Sequence, residues 1–245
     1  MRDSAVCAKI FFRRGRQSAT IRRMNDCISG RVRLHQMEIR QGEPFANTET
    51  ILGLMGKARA DGMRLAVFPE LALTGMLSGA EWLDEALRRD CEACLERIVA
   101  ASEGIAVVLG AAVCWRGRMA GAVVAAEDGR RVAPSGSPLA FVPKRLSEGN
   151  RFDGVGGLAC AGAVAAREGV ALEVLESPFA FRGFSVGAWA GQAGDAEGLA
   201  RRGADFLVCL DTRPYARNLP PQETAVSAGL PVARCGGAGV VDTGK

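Results

Sequence analysis

Apolar and polar positions follow two rhythms along this chain, and they change places several times. Residues 32–37 alternate closely enough to predict a strand. Gln41-Gly42-Glu43-Pro44 then gives a turn signal, and Asn47 is the expected N-cap of a helix ending at residue 60. The short apolar run 65–68, bounded by Gly62 and Pro69, predicts a buried strand. Residues 81–102 show helical spacing, and the β-branched run 105–113 predicts a core strand. Residues 120–126 read as a strand entering the turn Asp128-Gly129-Arg130, and 139–142 as another strand. A Gly-rich polar stretch, 145–163, reads as a loop. Strands are expected at 170–175 and 184–189, hairpin-linked across Arg182-Gly183. Helix 196–202, strand 206–210, helix 222–228 and strand 231–234 complete the pattern. Helices alternate with strands at both ends while strands cluster in the middle, which predicts one α/β domain with a mixed sheet.

Composition narrows the classes without changing that picture. Of 245 residues, 48% are apolar and 24% charged, enough apolar surface to exclude global disorder. No apolar run reaches the roughly 18 residues a membrane helix needs, so no membrane partner is expected. The net charge of +4 is concentrated at the start, where residues 1–30 hold seven basic and two acidic side chains. The remainder is close to neutral, and no nucleic-acid partner is expected for it. The basic segment 1–30 is expected to be a disordered or mis-started extension, with a transit peptide as the alternative. Residues 31–245 then form the folded domain.

Eight cysteines are scattered too irregularly for a disulfide scaffold, and reduced thiols point to the cytoplasm. Cys91 and Cys94 form a lone CxxC inside the helical stretch, which predicts two half-buried helix cysteines. His35 is the single histidine, so no zinc set assembles; no metal and no cofactor are expected. His35 itself is expected to be structural. Gly154-Val155-Gly156-Gly157-Leu158-Ala159 fits a dinucleotide fingerprint in letters only, because no buried strand precedes it; a flexible loop is expected.

The sharpest local signal is Phe68-Pro69-Glu70-Leu71-Ala72-Leu73-Thr74-Gly75, which places a carboxylate at the tip of a predicted strand. Strand tips are where α/β sheets bind ligands, and a carboxylate held there can act as a general base. This segment, with Gln36 ending the first strand and Asn47 opening the first helix, resembles the nitrilase superfamily of carbon-nitrogen hydrolases. The closest form is the glutaminase domain of glutamine-dependent NAD synthetase. The resemblance continues through 104–110, Asp128-Gly129-Arg130, Lys144 with Leu146, Phe152-Asp153, Gly203-Ala204-Asp205 through Pro214-Tyr215, and Gly229-Leu230-Pro231.

The resemblance implies an αββα sandwich with mixed sheets, and a site built from a Cys nucleophile, a Glu base and a Lys that stabilises the oxyanion. Glu70 falls on the family's base and Lys144 on its lysine. The nucleophile position falls on Gly191, in Gly187-Ala188-Trp189-Ala190-Gly191-Gln192-Ala193. Glycine has no side chain with which to attack a carbonyl. Two more departures accompany it. Gly154 stands where a second carboxylate follows the lysine, and Gly121 stands near the place of a strand Asn. Cys209, expected to pack in the sheet, and Cys160, near the mouth, are read as inert.

Only Thr243-Gly244-Lys245 follow Asp242, so the closing strands and any ATP-dependent synthetase domain are expected to be missing. The resemblance thus predicts a carbon-nitrogen hydrolase homologue of impaired catalysis, with a binding or partner role. Its ligand would be a small amide such as glutamine, or a carboxylate. The alternative is an active amidase or glutaminase with a different nucleophile, supplying ammonia to a NAD synthetase-type partner. A homo-oligomer is expected by analogy.

Overall fold

The computed structural model describes residues 31–77, 79–145, 158–191, 195–211 and 230–236. The expected extension 1–30, the helix 222–228, and Gly154, Gln192, Ala193 and Asp242 lie outside the described residues.

Two sheets stack face to face. The first is built on β1 (Val32–Leu34), β2 (Leu65–Val67), β3 (Ala106–Trp115), β4 (Arg118–Glu127) and β5 (Arg130–Val132), in that order. Two short strands, β6 (Val142–Pro143) and β7 (Leu158–Ala159), also pair with β4. β1, β2 and β3 run parallel, while β4 is antiparallel to β3, β5 and β6. The second sheet has the order β11 (Val232–Gly236), β10 (Phe206–Asp211), β9 (Phe184–Ala190) and β8 (Phe179–Phe181). Its first three strands are parallel, and β8 closes as a hairpin on β9. Both sheets are mixed; the strand-helix pattern predicts a single mixed sheet, and the two-sheet arrangement follows the resemblance.

Alternation along the strands assigns the layers. Val108, Val123 and Ala125 of one sheet meet Phe206, Val208 and Leu210 of the other between the sheets. The neighbouring Val107, Leu109 and Val124 face the opposite way, against helices α1 (Pro44–Ala60), α2 (Glu85–Ala100) and α3 (Ala161–Glu168). On the outer face of the second sheet, Leu207 and Val232 pack against Leu199 of α5 (Ala196–Arg201). Helix, sheet, sheet, helix is the expected αββα sandwich. β3 is buried on both faces, which explains why its sequence is a continuous apolar run rather than an alternation.

Several sequence expectations are corrected. Residues 170–175 are not a strand. They hold a short helix, α4 (Leu172–Leu175), and the partner of β9 across Arg182-Gly183 is β8 instead. Leu172 and Leu175 both pack into the helical side of the core, and that tertiary packing overrides the apolar run's strand signal. The loop expected over 145–163 includes β7 and the start of α3, so Leu158-Ala159 is sheet rather than flexible loop. Asn47 does not cap α1, which begins at Pro44 with Glu43 at its N-cap. Cys91 and Cys94 are fully buried, not half-buried, because both sit on the face of α2 turned to the core. Among the described residues no helix is long and apolar enough to cross a membrane.

Candidate active site

Glu70 follows β2 by three residues, and its position is set by β3. Gly110 of β3 donates its N–H to the Pro69 carbonyl at 3.0 Å and accepts from the Ala72 N–H at 2.9 Å. Those two bonds bracket Glu70. The approach is so close that a Cβ on Gly110 would lie 2.4 Å from the Glu70 Cα. Leu71 then turns the chain with φ of 51°, a left-handed value unusual for a side chain of its size. Such strain costs on the order of 1 kcal/mol or more and persists where surrounding structure imposes it. Thr74 and Gly75 close the turn by donating their N–H groups to the Leu71 carbonyl. Glu70 is thereby held at the tip of the strand, 3% exposed.

Lys144 leaves β6 beside β4, where its N–H donates to the Gly121 carbonyl at 2.8 Å. Its carbonyl accepts from Ala161 at the start of α3. Its ammonium lies 2.9 Å from the Glu70 carboxylate, and the side chain remains 23% exposed. Gly191 follows β9 directly with φ of 79°, its N–H donating to the Leu210 carbonyl at 2.7 Å. A Cβ built on Gly191 would stand 3.1 Å from the Lys144 Cε and 3.9 Å from its Nζ. Three positions far apart in sequence, 70, 144 and 191, therefore converge on one spot. Gly121 is there too, since its Cβ would lie 3.8 Å from the Lys144 Cβ.

The remaining candidates stand around this centre. Cys209 is half-buried on β10, and its thiol donates to the Gly191 carbonyl at 3.5 Å. Its nearness to position 191 is not visible in the sequence, because it follows from the parallel register of β9 and β10. Cys160 is the N-cap residue of α3, next to the Ala161 that bonds Lys144. His35 is buried and stacked on Phe68 with ring centroids 4.8 Å apart. Its Nε2 has no hydrogen-bond partner among the described residues. Burial, with Arg33 adding to it, lowers its pKa to about 4, so the ring is neutral. The expected structural role fits this setting. Among the described residues no cluster of three or more His, Cys, Asp or Glu is placed to hold a metal ion.

Sequence reasoning expected Asn47 to cap a helix and missed its actual partners. Its carboxamide oxygen accepts from the Arg40 N–H at 2.9 Å, and its nitrogen donates to the Arg40 and Leu73 carbonyls at 2.7 Å. It ties the turn after Glu70 to α1. The resemblance marked the residue, but only the fold shows what it holds.

No protein-family model matches the chain. The glutamine-dependent NAD(+) synthetases of two Xylella fastidiosa strains, Temecula1 and 9a5c, are each 35% identical to it over 81 residues. That stretch is 33% of this chain and 15% of each relative's length. Glutamine-dependent NAD+ synthetase from Acinetobacter baumannii superimposes over 85% of this chain and 38% of its own, with TM-score 0.63 and 18% identity. The nitrilase-superfamily amidase of Nesterenkonia AN1 superimposes over 85% of this chain and 76% of its own, also with TM-score 0.63 and 18% identity. The chain thus has the αββα fold of the nitrilase-superfamily amidases and of glutamine-dependent NAD synthetase, and shares with the latter a limited stretch of sequence.

Proposed function

We propose that this chain is a carbon-nitrogen hydrolase homologue whose amide-hydrolysing site has lost its nucleophile at Gly191, and that it binds a small amide or carboxylate or serves a partner subunit. The observation that carries this reading is the 3.1 Å between a Cβ on Gly191 and Lys144, whose ammonium pairs with Glu70 at 2.9 Å. In the full site, Glu70 would take the thiol proton and pass it to the departing amine. Lys144 would stabilise the oxyanion of the tetrahedral intermediate. With glycine at 191 the pair is retained but no thioester can form there. The pair still offers a charged, largely desolvated spot to a polar ligand, where electrostatic interactions are stronger than in water.

A second reading keeps activity through Cys209, favoured by its thiol standing 3.5 Å from the Gly191 carbonyl. In this reading the protein is a working glutaminase or amidase that supplies ammonia to a NAD synthetase-type partner. Cys209 attacks the amide carbon, ammonia leaves, and water hydrolyses the thioester.

Ammonia release from glutamine and simple amides, measured for native protein beside Gly191→Cys, separates the two. The first reading expects silence from native protein and slow turnover from the cysteine variant. The turnover would be slow because a side chain at φ of 79° is strained and meets Lys144 at 3.1 Å. Native turnover abolished by Cys209→Ala would overturn the first reading. Silence from both would mean that more than the nucleophile is lost, leaving the ligand- or partner-binding role to direct binding measurements.

A further inference from the structure

Lys144 is followed by Arg145, whose side chain is committed elsewhere. Its Nε donates to Glu176 Oε1 at 2.6 Å, and a terminal nitrogen donates to Oε2, a two-pronged pair. Glu176 closes α4 and is only 6% exposed. The Glu176 carbonyl accepts from Arg202 at 3.4 Å, and Arg202 reaches Asp195 Oδ2 at 3.3 Å. Asp195 in turn caps α5, its Oδ1 accepting from the Gly198 N–H at 2.8 Å. Asp195 stands four positions after Gly191. A chain of hydrogen bonds therefore runs from the residue beside Lys144, through the Glu176 backbone carbonyl, to Asp195, which opens α5.

We propose that Arg145 and Glu176, continued through Arg202 to Asp195, form a positioning device that holds Lys144 against Glu70. This rests on the reading of Lys144 as the lysine of the site. β6 is two residues long, so its ladder alone offers Lys144 little restraint. A planar guanidinium engaging both carboxylate oxygens fixes direction as well as distance. The pair is partly buried, with Arg145 30% exposed, and desolvation offsets much of its attraction, so its main contribution is fixed geometry rather than net stability. The charges also support one another. The Glu176 hydrogen bond holds the Arg145 guanidinium protonated beyond its ordinary range, with Asp195 and Glu173 adding to it. Burial works against ionisation of Asp195, but the Gly198 amide, Arg202 and Arg145 outweigh it and hold the carboxyl below its usual range.

The test is competitive acetylation of the full chain, which contains four lysines: Lys9, Lys57, Lys144 and Lys245. The rate at Lys144 is read by mass spectrometry against the exposed Lys57 as internal reference. In folded Arg145→Gln and Glu176→Gln, the Lys144 to Lys57 ratio should rise by about threefold or more, the size of a modest coupling energy. The charge-swapped double variant, Arg145→Glu with Glu176→Arg, should bring the ratio back toward native. An unchanged ratio in folded single variants overturns the proposal, as does a swap that fails to restore it. Loss of the fold in both single variants overturns it as well, because the pair would then be a general strut. The assay reads geometry and not turnover, so native turnover abolished by Cys209→Ala would overturn the reading of the site while leaving this result standing.

Discussion

At the scale of single residues, backbone proximity makes the strongest demand. Gly110 lies against Glu70 with no room for a side chain, since its Cβ would meet backbone atoms at 2.4, 2.9 and 3.0 Å. Backbone cannot swing aside as a flexible side chain can. Gly110→Ala is therefore expected to lower stability by about 3 kcal/mol, at the upper end of the range for overpacking. Gly121→Ala is the matched control, because its nearest contacts begin at 3.8 Å and include the movable Lys144. It should change stability by less than about 1 kcal/mol. Urea unfolding of the two variants checks this, and equal losses would refute the account of how Glu70 is held. Gly191 is a different case. Its positive φ makes any side chain strained there, so glycine suits the backbone at 191.

At the scale of elements, the join between α1 and the turn after Glu70 depends on one carboxamide. Asn47 is buried and makes three hydrogen bonds to backbone groups of Arg40 and Leu73. Asn47→Ala leaves an N–H and two carbonyls without that partner, at an expected cost of about 3 kcal/mol. Asn47→Asp should be nearly as damaging, because a carboxylate accepts from Arg40 but cannot donate to the two carbonyls. Thermal melts of both variants test this; an aspartate variant as stable as native would show that the donated bonds contribute little. The same scale explains where the element expectations failed. Whether 170–175 is strand or helix depends on Leu172 and Leu175 meeting the helical side of the core, a contact that no local window contains. The first helix begins at Pro44 rather than Asn47, because proline fits a first turn whose N–H groups have no helical partner.

At the scale of the whole molecule, His35 couples the fold to pH. It sits just past β1, stacks on Phe68 and lends its carbonyl to Cys235 of β11, so it touches the second sheet as well. The unfolded chain binds a proton as pH falls through 6.5, whereas the folded chain does so only near 4. Stability is therefore unaffected by this group above the unfolded pKa and falls as pH drops through that window, by about 3 kcal/mol in all. The direction follows from burial of a neutral ring beside Arg33, which resists acquiring charge. His35→Phe keeps a ring against Phe68 and should flatten the pH dependence measured by urea unfolding across the window. An undiminished slope in that variant would assign the acid sensitivity to other groups.

The order of residues already carries the α/β class and most of the strands, and it marks Glu70, Lys144 and Gly191 as the positions to watch. Periodicity supplies the class and the strands, a local motif supplies Glu70, and the family resemblance supplies Lys144 and Gly191, all from the sequence. It also determined that no thiol stands at 191, since that is a matter of the letter alone. Tertiary packing is what brings 70, 144 and 191 within a few ångströms of one another. It also brings Cys209 beside Gly191 and links Arg145 through Glu176 and Arg202 to Asp195. Those are distances between strands and between sheets. They are set by parallel register and by the packing of one layer on another, which the order of residues along a chain does not contain.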